Sequence, residues 1–160
     1  MHTEALNEHR WLQRLVGEWM ATGEALMSAD QPPVKWEIPE RVGRVGDLWV
    51  QCVSEGEMPG CGPATTVMTL GYDPSRKHFV GTFIGSMMTY LWTYEGDLDP
   101  DGQVLTLRAE GPDNTGSGKM AKYRDVICFI DDDHRTLTSH VQGSDGEWTQ
   151  FMSASYRRVR

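Results

Sequence analysis

From Trp19 to the C-terminus, apolar and polar residues alternate with a period of two, in ten runs separated by turn-forming residues. Successive side chains of a strand point to opposite faces, so a chain of this kind builds a sheet with one apolar and one polar surface. Trp19, Ala21, Gly23, Ala25 and Met27 alternate with Glu18, Thr22 and Glu24. Val34, Trp36, Ile38 and Val42 alternate with Lys35, Glu37, Pro39 and Arg41. Further runs lie at 48–55, 65–72, 78–85, 89–98, 104–110, 121–130, 136–142 and 148–157, each with the Val, Ile, Thr and aromatic content of strands. The spacers Asp73-Pro74-Ser75-Arg76-Lys77, Asp99-Pro100-Asp101-Gly102, Asp131-Asp132-Asp133-His134-Arg135 and Ser144-Asp145-Gly146 carry the residues that tight reversals demand.

Strands joined by short turns pair with their neighbours in antiparallel fashion. A sheet with one apolar face and two raw edges is best satisfied by closing on itself. The fold class predicted is therefore all-β, a closed up-and-down barrel of about ten strands. A barrel of that strand number is wider than its own side chains fill, which predicts an internal cavity. Pro39, inside the second run, predicts a bend or bulge there, because proline cannot donate to a ladder.

One segment breaks the pattern. Over 4–16, Ala5, Leu6, Leu12, Leu15 and Val16 recur at three- and four-residue intervals, with Trp11 widening the stripe and Thr3 available as N-cap. Gly17 ends this helix. A single short helix cannot form a second layer, so its expected place is over one end of the barrel. No repeat, linker or low-complexity tract divides the chain, and 1–160 reads as one domain.

Fifteen Lys and Arg stand against 23 Asp and Glu, a net charge of −8. That excludes the fold-wide positive field that nucleic acid or anionic lipid requires. No stretch approaches the roughly 20 apolar residues of a membrane-spanning helix, and the first ten residues lack the apolar core of a secretory signal. The expectation is a cytoplasmic protein with neither membrane nor nucleic acid as partner. Three cysteines, Cys52, Cys61 and Cys128, lack Cys-x-x-Cys spacing. Cys52 and Cys128 read as packing residues, and Cys61, in a Gly/Pro loop, as the exposed thiol.

Gly17-Glu18-Trp19, after a short helix and opening the first strand, resembles the Gly-x-Trp signature of lipocalins and fatty-acid-binding proteins, the calycins. The resemblance implies that Trp19 packs at the closed end of the barrel under a basic side chain of the last strand. Arg157, or its neighbour Arg158, is the matching candidate. A longer match spans roughly 10–158. It is carried by Leu15-Val16-Gly17-Glu18-Trp19, Leu70-Gly71-Tyr72-Asp73-Pro74, Tyr94-Glu95-Gly96, Tyr123-Arg124-Asp125-Val126 and Asp131-Asp132-Asp133-His134-Arg135. In order and spacing these resemble the bacterial family designated domain of unknown function 1579, which implies a lipocalin-like fold and supplies no catalytic residues.

Several segments imitate chemical motifs. Asp97-x-Asp99-x-Asp101-Gly102 starts like a calcium loop, but Arg108 occupies the position of the closing Glu. The segment 111–119 looks like a phosphate loop, yet Ser117 stands in the Lys position and Pro112 removes a donor. The three aspartates 131–133 point apart on a turn. The five histidines, His2, His9, His78, His134 and His140, have no zinc-ligand spacing. No cofactor or metal is expected, with haem ligation by His140 a minor alternative.

The candidate site is the barrel interior. Tyr90, Trp92 and Tyr94 form an aromatic row preceded by Met87-Met88, with Trp36 on another strand and Met152 on the last. Such walls suit an irregular apolar guest. Glu40 shares parity with Trp36 and Ile38 and is expected inside. Arg124 and Asp125 are neighbours, so one faces inward; an inward Arg124 would hold an acidic head group and pair with Glu40 in the empty protein. His140 enters the cavity if Thr138 and Gln142 do. Two functions follow. The first is binding of a small, largely hydrophobic molecule by Trp36, Met87, Tyr90, Trp92, Arg124, His140 and Met152. The second is a cofactor-free enzyme with Glu40 or His140 as general base. A scaffold with a filled barrel and a homodimer through an exposed apolar face are further readings.

Overall fold

The computed structural model describes residues 3–26, 30–60, 62–113 and 115–159; His2, Met27 and Cys61 lie outside them. After a helix α1 (Asn7–Leu12) and a 3-10 turn (Gln13–Leu15) come ten strands. They are β1 (Gly17–Ala25), β2 (Val34–Val45), β3 (Trp49–Met58), β4 (Gly62–Asp73), β5 (His78–Gly85), β6 (Trp92–Leu98), β7 (Val104–Pro112), β8 (Met120–Asp131), β9 (His134–Gln142) and β10 (Trp148–Arg158). Each pairs antiparallel with its sequence neighbour, and β1 also pairs with β10, from Trp19↔Arg158 to Ala25↔Met152, which closes the barrel. Closure leaves no raw edge.

The helix is shorter than its apolar stripe predicts. Leu6 has extended backbone and Thr3 does not cap; instead the Leu6 N–H donates to Nδ1 of His9 at 2.9 Å. The other nitrogen of this buried ring bonds the Tyr72 carbonyl at 3.0 Å, tying the first turn of the helix to β4. Trp11, Leu12 and Leu15 pack into the barrel end, where Trp11 meets the rings of Phe79 and Phe129 edge-on and donates to the Gly102 carbonyl at 2.6 Å. The helix caps the end formed by the turns after β2, β4, β6 and β8.

Trp19 is 1% exposed beneath this plug, and the last-strand basic side chain that covers it is Arg158 rather than Arg157. The side chain of Arg157 points to solvent, because Tyr156 and Arg158 take the inward parity of β10. The Arg158 guanidinium lies 4.2 Å from the Trp19 ring and donates to the carbonyls of Val16 at 2.7 Å and Arg14 at 3.0 Å. It thereby satisfies carbonyls that the end of a helical segment leaves open. Gly17 is required at this spot. Its φ is +137°, and a Cβ there would sit 2.4 Å from the guanidinium.

Of the bend or bulge predicted at Pro39, no bulge is formed. Pairing of β2 with β1 runs unshifted through Met20↔Pro39, and pairing of β2 with β3 begins only at Glu40↔Ser54. The missing N–H of Pro39 thus falls where no β3 partner is paired. Register shifts occur instead between Gln150 and Met152 and between Phe129 and Asp131. The chemical look-alike segments are turns: Asp99 accepts the N–H groups of Gln103 and Val104, both at 2.9 Å, and Asp113 accepts the hydroxyls of Thr115 and Ser117.

Candidate functional site: two chambers inside the barrel

Alternation assigns Trp36, Ile38 and Glu40 of β2, Tyr94 of β6, Asp125 and Ile127 of β8, and Arg135, Leu137 and Ser139 of β9 to the interior, where they line two adjacent chambers. Met68, Phe83, Leu137 and Met152 belong to both and form the partition between them.

The inner chamber, about 140 Å³, lies against the plugged end. At its wall Arg135 Nη2 donates to Glu40 Oε1 at 2.7 Å, and the Ser54 hydroxyl donates to Glu40 Oε2 at 3.0 Å. The side chains of Arg135 and Glu40 are 3% and 10% exposed, so both charges are out of water and depend on each other. The guanidinium also lies between two rings, 4.6 Å from Trp19 and 4.0 Å from Tyr156. Burial, and then the charge of Glu40, push both the Cys52 thiol and the Tyr156 phenol well above their ordinary ranges, so both stay neutral.

The outer chamber holds about 740 Å³ and opens at the barrel end opposite the helix. Its wall is a chain of edge-to-face rings: Tyr90 to Trp92 at 5.0 Å, Trp92 to Tyr123 at 4.8 Å, and Tyr123 to Phe151 at 6.1 Å. The phenols of Tyr90 and Tyr123 turn away to donate to the carbonyls of Glu110 and Pro112, which leaves the aromatic rings on the chamber wall. The Trp92 indole packs over Gly111 of β7, where a Cβ would fall 2.1 Å from the ring. Met87 and Met88 form part of the rim. At the base the Tyr94 hydroxyl donates to Asp125 Oδ2 at 2.5 Å. Burial raises the Asp125 carboxyl above the usual range, against the hydrogen bonds of Tyr94 and Ser139 and the field of His140, which lower it.

Of the residues singled out from sequence, Met87, Tyr90, Trp92 and Met152 line the outer chamber and Trp36, Glu40 and Met152 the inner one. Tyr90 does so from the connection at 86–91, since β6 starts only at Trp92. Arg124 and His140 are not inside. Asp125 and Ser139 take the inward positions, so their neighbours face out: the Arg124 guanidinium lies 3.7 Å from the Trp148 ring in an open outer groove, and His140 Nε2 bonds the Thr138 hydroxyl at 3.0 Å. An Arg124 anchor, a Glu40–Arg124 pair and a His140 that bases a reaction or ligates haem within the barrel therefore lack their geometry. Glu40 is inside but held by Arg135 and Ser54. The partner that sequence reading missed is Arg135, counted with the turn at 131–135 although it shares parity with Leu137 and Ser139. The same parity rule, carried back from Ile127 and Phe129, points Asp125 inward.

A ten-stranded antiparallel barrel, plugged by a helix under an arginine–tryptophan stack and hollow at its other end, is a lipocalin-like barrel. The chain belongs to the family described as protein of unknown function (DUF1579), whose model matches residues 4–158. Among solved structures, Rv2717c from M. tuberculosis is similar with a TM-score of 0.63 at 13% identity, covering 98% of this chain and 100% of that one. A redesigned beta barrel, b11L5F_LGL, gives 0.49 at 8% identity over 99% and 100% of the two chains. EF1p2_mFAP2b bound to DFHBI gives 0.45 at 13% identity over 96% and 100%. At 13% identity the likeness to Rv2717c speaks to the fold alone. No protein of curated function matches the sequence.

Proposed function

We propose that the protein binds a small, largely hydrophobic molecule in the outer chamber. The observation that carries this reading is a 740 Å³ space, open to solvent, walled by Tyr90, Trp92, Tyr123, Phe151 and Met152, with polar side chains gathered at its base. Its volume is that of small-molecule sites, which are apolar pockets with a few placed polar groups. Burying about 200–300 Å² of apolar ligand surface at about 25 cal/mol per Å² supplies roughly 5–7 kcal/mol before the cost of immobilisation. Met68 and Met152 in the partition let a longer guest reach toward the inner chamber, because unbranched thioethers change rotamer at little cost.

The test is titration with a neutral naphthalene probe, read through Trp92 and the other indoles, beside native mass spectrometry of freshly purified protein. Saturable binding near one to one, weakened at least tenfold by Trp92→Ala, is the expected result. A set of neutral apolar probes that never saturates, with no retained molecule in the mass spectrum, overturns the reading.

A further inference from the structure

Among the described residues, the charged side chains that line the outer chamber are all of one sign. That lining includes Asp125 and Asp113 and, among the described residues, no lysine, arginine or histidine; His140 acts on Asp125 from outside the wall. Six aromatic residues surround the same space: Phe83, Tyr90, Trp92, Tyr94, Tyr123 and Phe151. Aromatic faces carry negative electrostatic potential and attract cations placed over them, most strongly away from water. The base of the chamber adds a full charge when Asp125 is ionised. Its carboxylate has about four acceptor positions, and Tyr94 and Ser139 use two. Arg135, a buried cation nearby, lies beyond the partition and is already neutralised by Glu40.

We infer that the molecule held in the outer chamber is an organic cation, an amine or quaternary ammonium on an apolar body, its charge seated among the aromatic rings and facing Asp125. This rests on the binding reading above and narrows its ligand class. It replaces the acidic head group expected from sequence, which would meet carboxylates and ring faces with no cation to receive it. The chain's net charge of −8 acts in the same direction, drawing cations toward the molecule and repelling anions. A carboxylate ligand of the same shape must be desolvated without a partner, which is costly.

The experiment uses three ligands with one naphthylmethyl body, bearing trimethylammonium, hydroxyl or carboxylate, titrated into the full-length protein by calorimetry. The ammonium ligand is expected to bind at least tenfold more tightly than the alcohol, and the carboxylate more weakly than either. Asp125→Asn should bring the ammonium affinity to within about threefold of the alcohol's. Trp92→Leu, which removes the indole face but keeps Asp125, should lower the preference for the ammonium ligand over the alcohol. If the alcohol binds and the ammonium gains nothing over it, or the carboxylate binds best, the cation assignment is wrong and the binding reading stands. If none of the three binds, both fall together.

Discussion

Glu40 and Arg135 permit a quantitative test of what a buried charge does for this barrel. Glu40→Gln preserves the side chain's size and its acceptor for Ser54, yet leaves the guanidinium of Arg135, 3% exposed, without a countercharge. Breaking a buried pair on one side typically costs about 3–5 kcal/mol. With an unfolding entropy of about 2.1 cal/mol/K per residue, a chain of 160 residues should lose about 9–15 °C in Tm. The control is Arg44–Asp47, shorter still at 2.6 Å but with side chains 54% and 66% exposed. Asp47→Asn should cost less than about 1 kcal/mol, under about 3 °C. Adding Arg135→Met to Glu40→Gln removes the stranded charge and should recover most of the loss, since apolar replacement of a buried pair is often neutral. Thermal melts by circular dichroism, checked by urea titration, read all four proteins. If Glu40→Gln shifts Tm no more than Asp47→Asn, or the double variant is no better than the single, the pair is not desolvated as described.

Other outcomes follow from single features. Arg158→Met uncovers Trp19 and strands the Val16 and Arg14 carbonyls, at about 2–4 kcal/mol, whereas Arg157→Met should stay within about 0.5 kcal/mol; equal effects in urea unfolding would count against the stack. Gly111→Ala places a methyl where Trp92 lies, so the ring must move; neutral-probe affinity should fall about tenfold, the factor worth about 1.4 kcal/mol, with far-ultraviolet circular dichroism unchanged. Asp125 should make stability fall as pH rises. Burial raises its native pKa, so between the ordinary carboxylate value and the raised one the native state holds more proton than the unfolded chain. Asp125→Asn should remove that decline, and a pH–Tm profile identical to the parent's would refute it. Asp97 works oppositely: burial raises its carboxyl, but hydrogen bonds from His78 and Arg108 outweigh this and lower it. Its contribution is present above the ordinary Asp range and lost as pH falls through the lowered value, a loss that Arg108→Ala should reduce in acid melts.

Individual residues show how much could be read before folding was seen. Trp36, Ile38 and Glu40 share a face because a strand alternates whatever surrounds it, and all three line the inner chamber. Arg124 and Asp125 had to point apart for the same reason, but the choice between them depends on register with Ile127 and Phe129. The helix lost its first turn because Leu6 gives its N–H to His9, whose ring is anchored by Tyr72, 63 residues away in β4. Tyr90 left the strand and kept its place in the wall through Trp92 and the Glu110 carbonyl, contacts that no local pattern encodes.

The chain's own order of residues determined the strands, their antiparallel sequence and the plug helix, because period and turn chemistry act over a few neighbours at a time. Which charges meet inside was decided only by closure of the barrel. Glu40 and Arg135 are 95 residues apart along the chain, and the pairing of β1 with both β2 and β10 brings their strands within reach across one interior. The outer chamber has the same origin: its two aspartates and six rings come from separate strands and connections, and only a closed wall gathers them around one space.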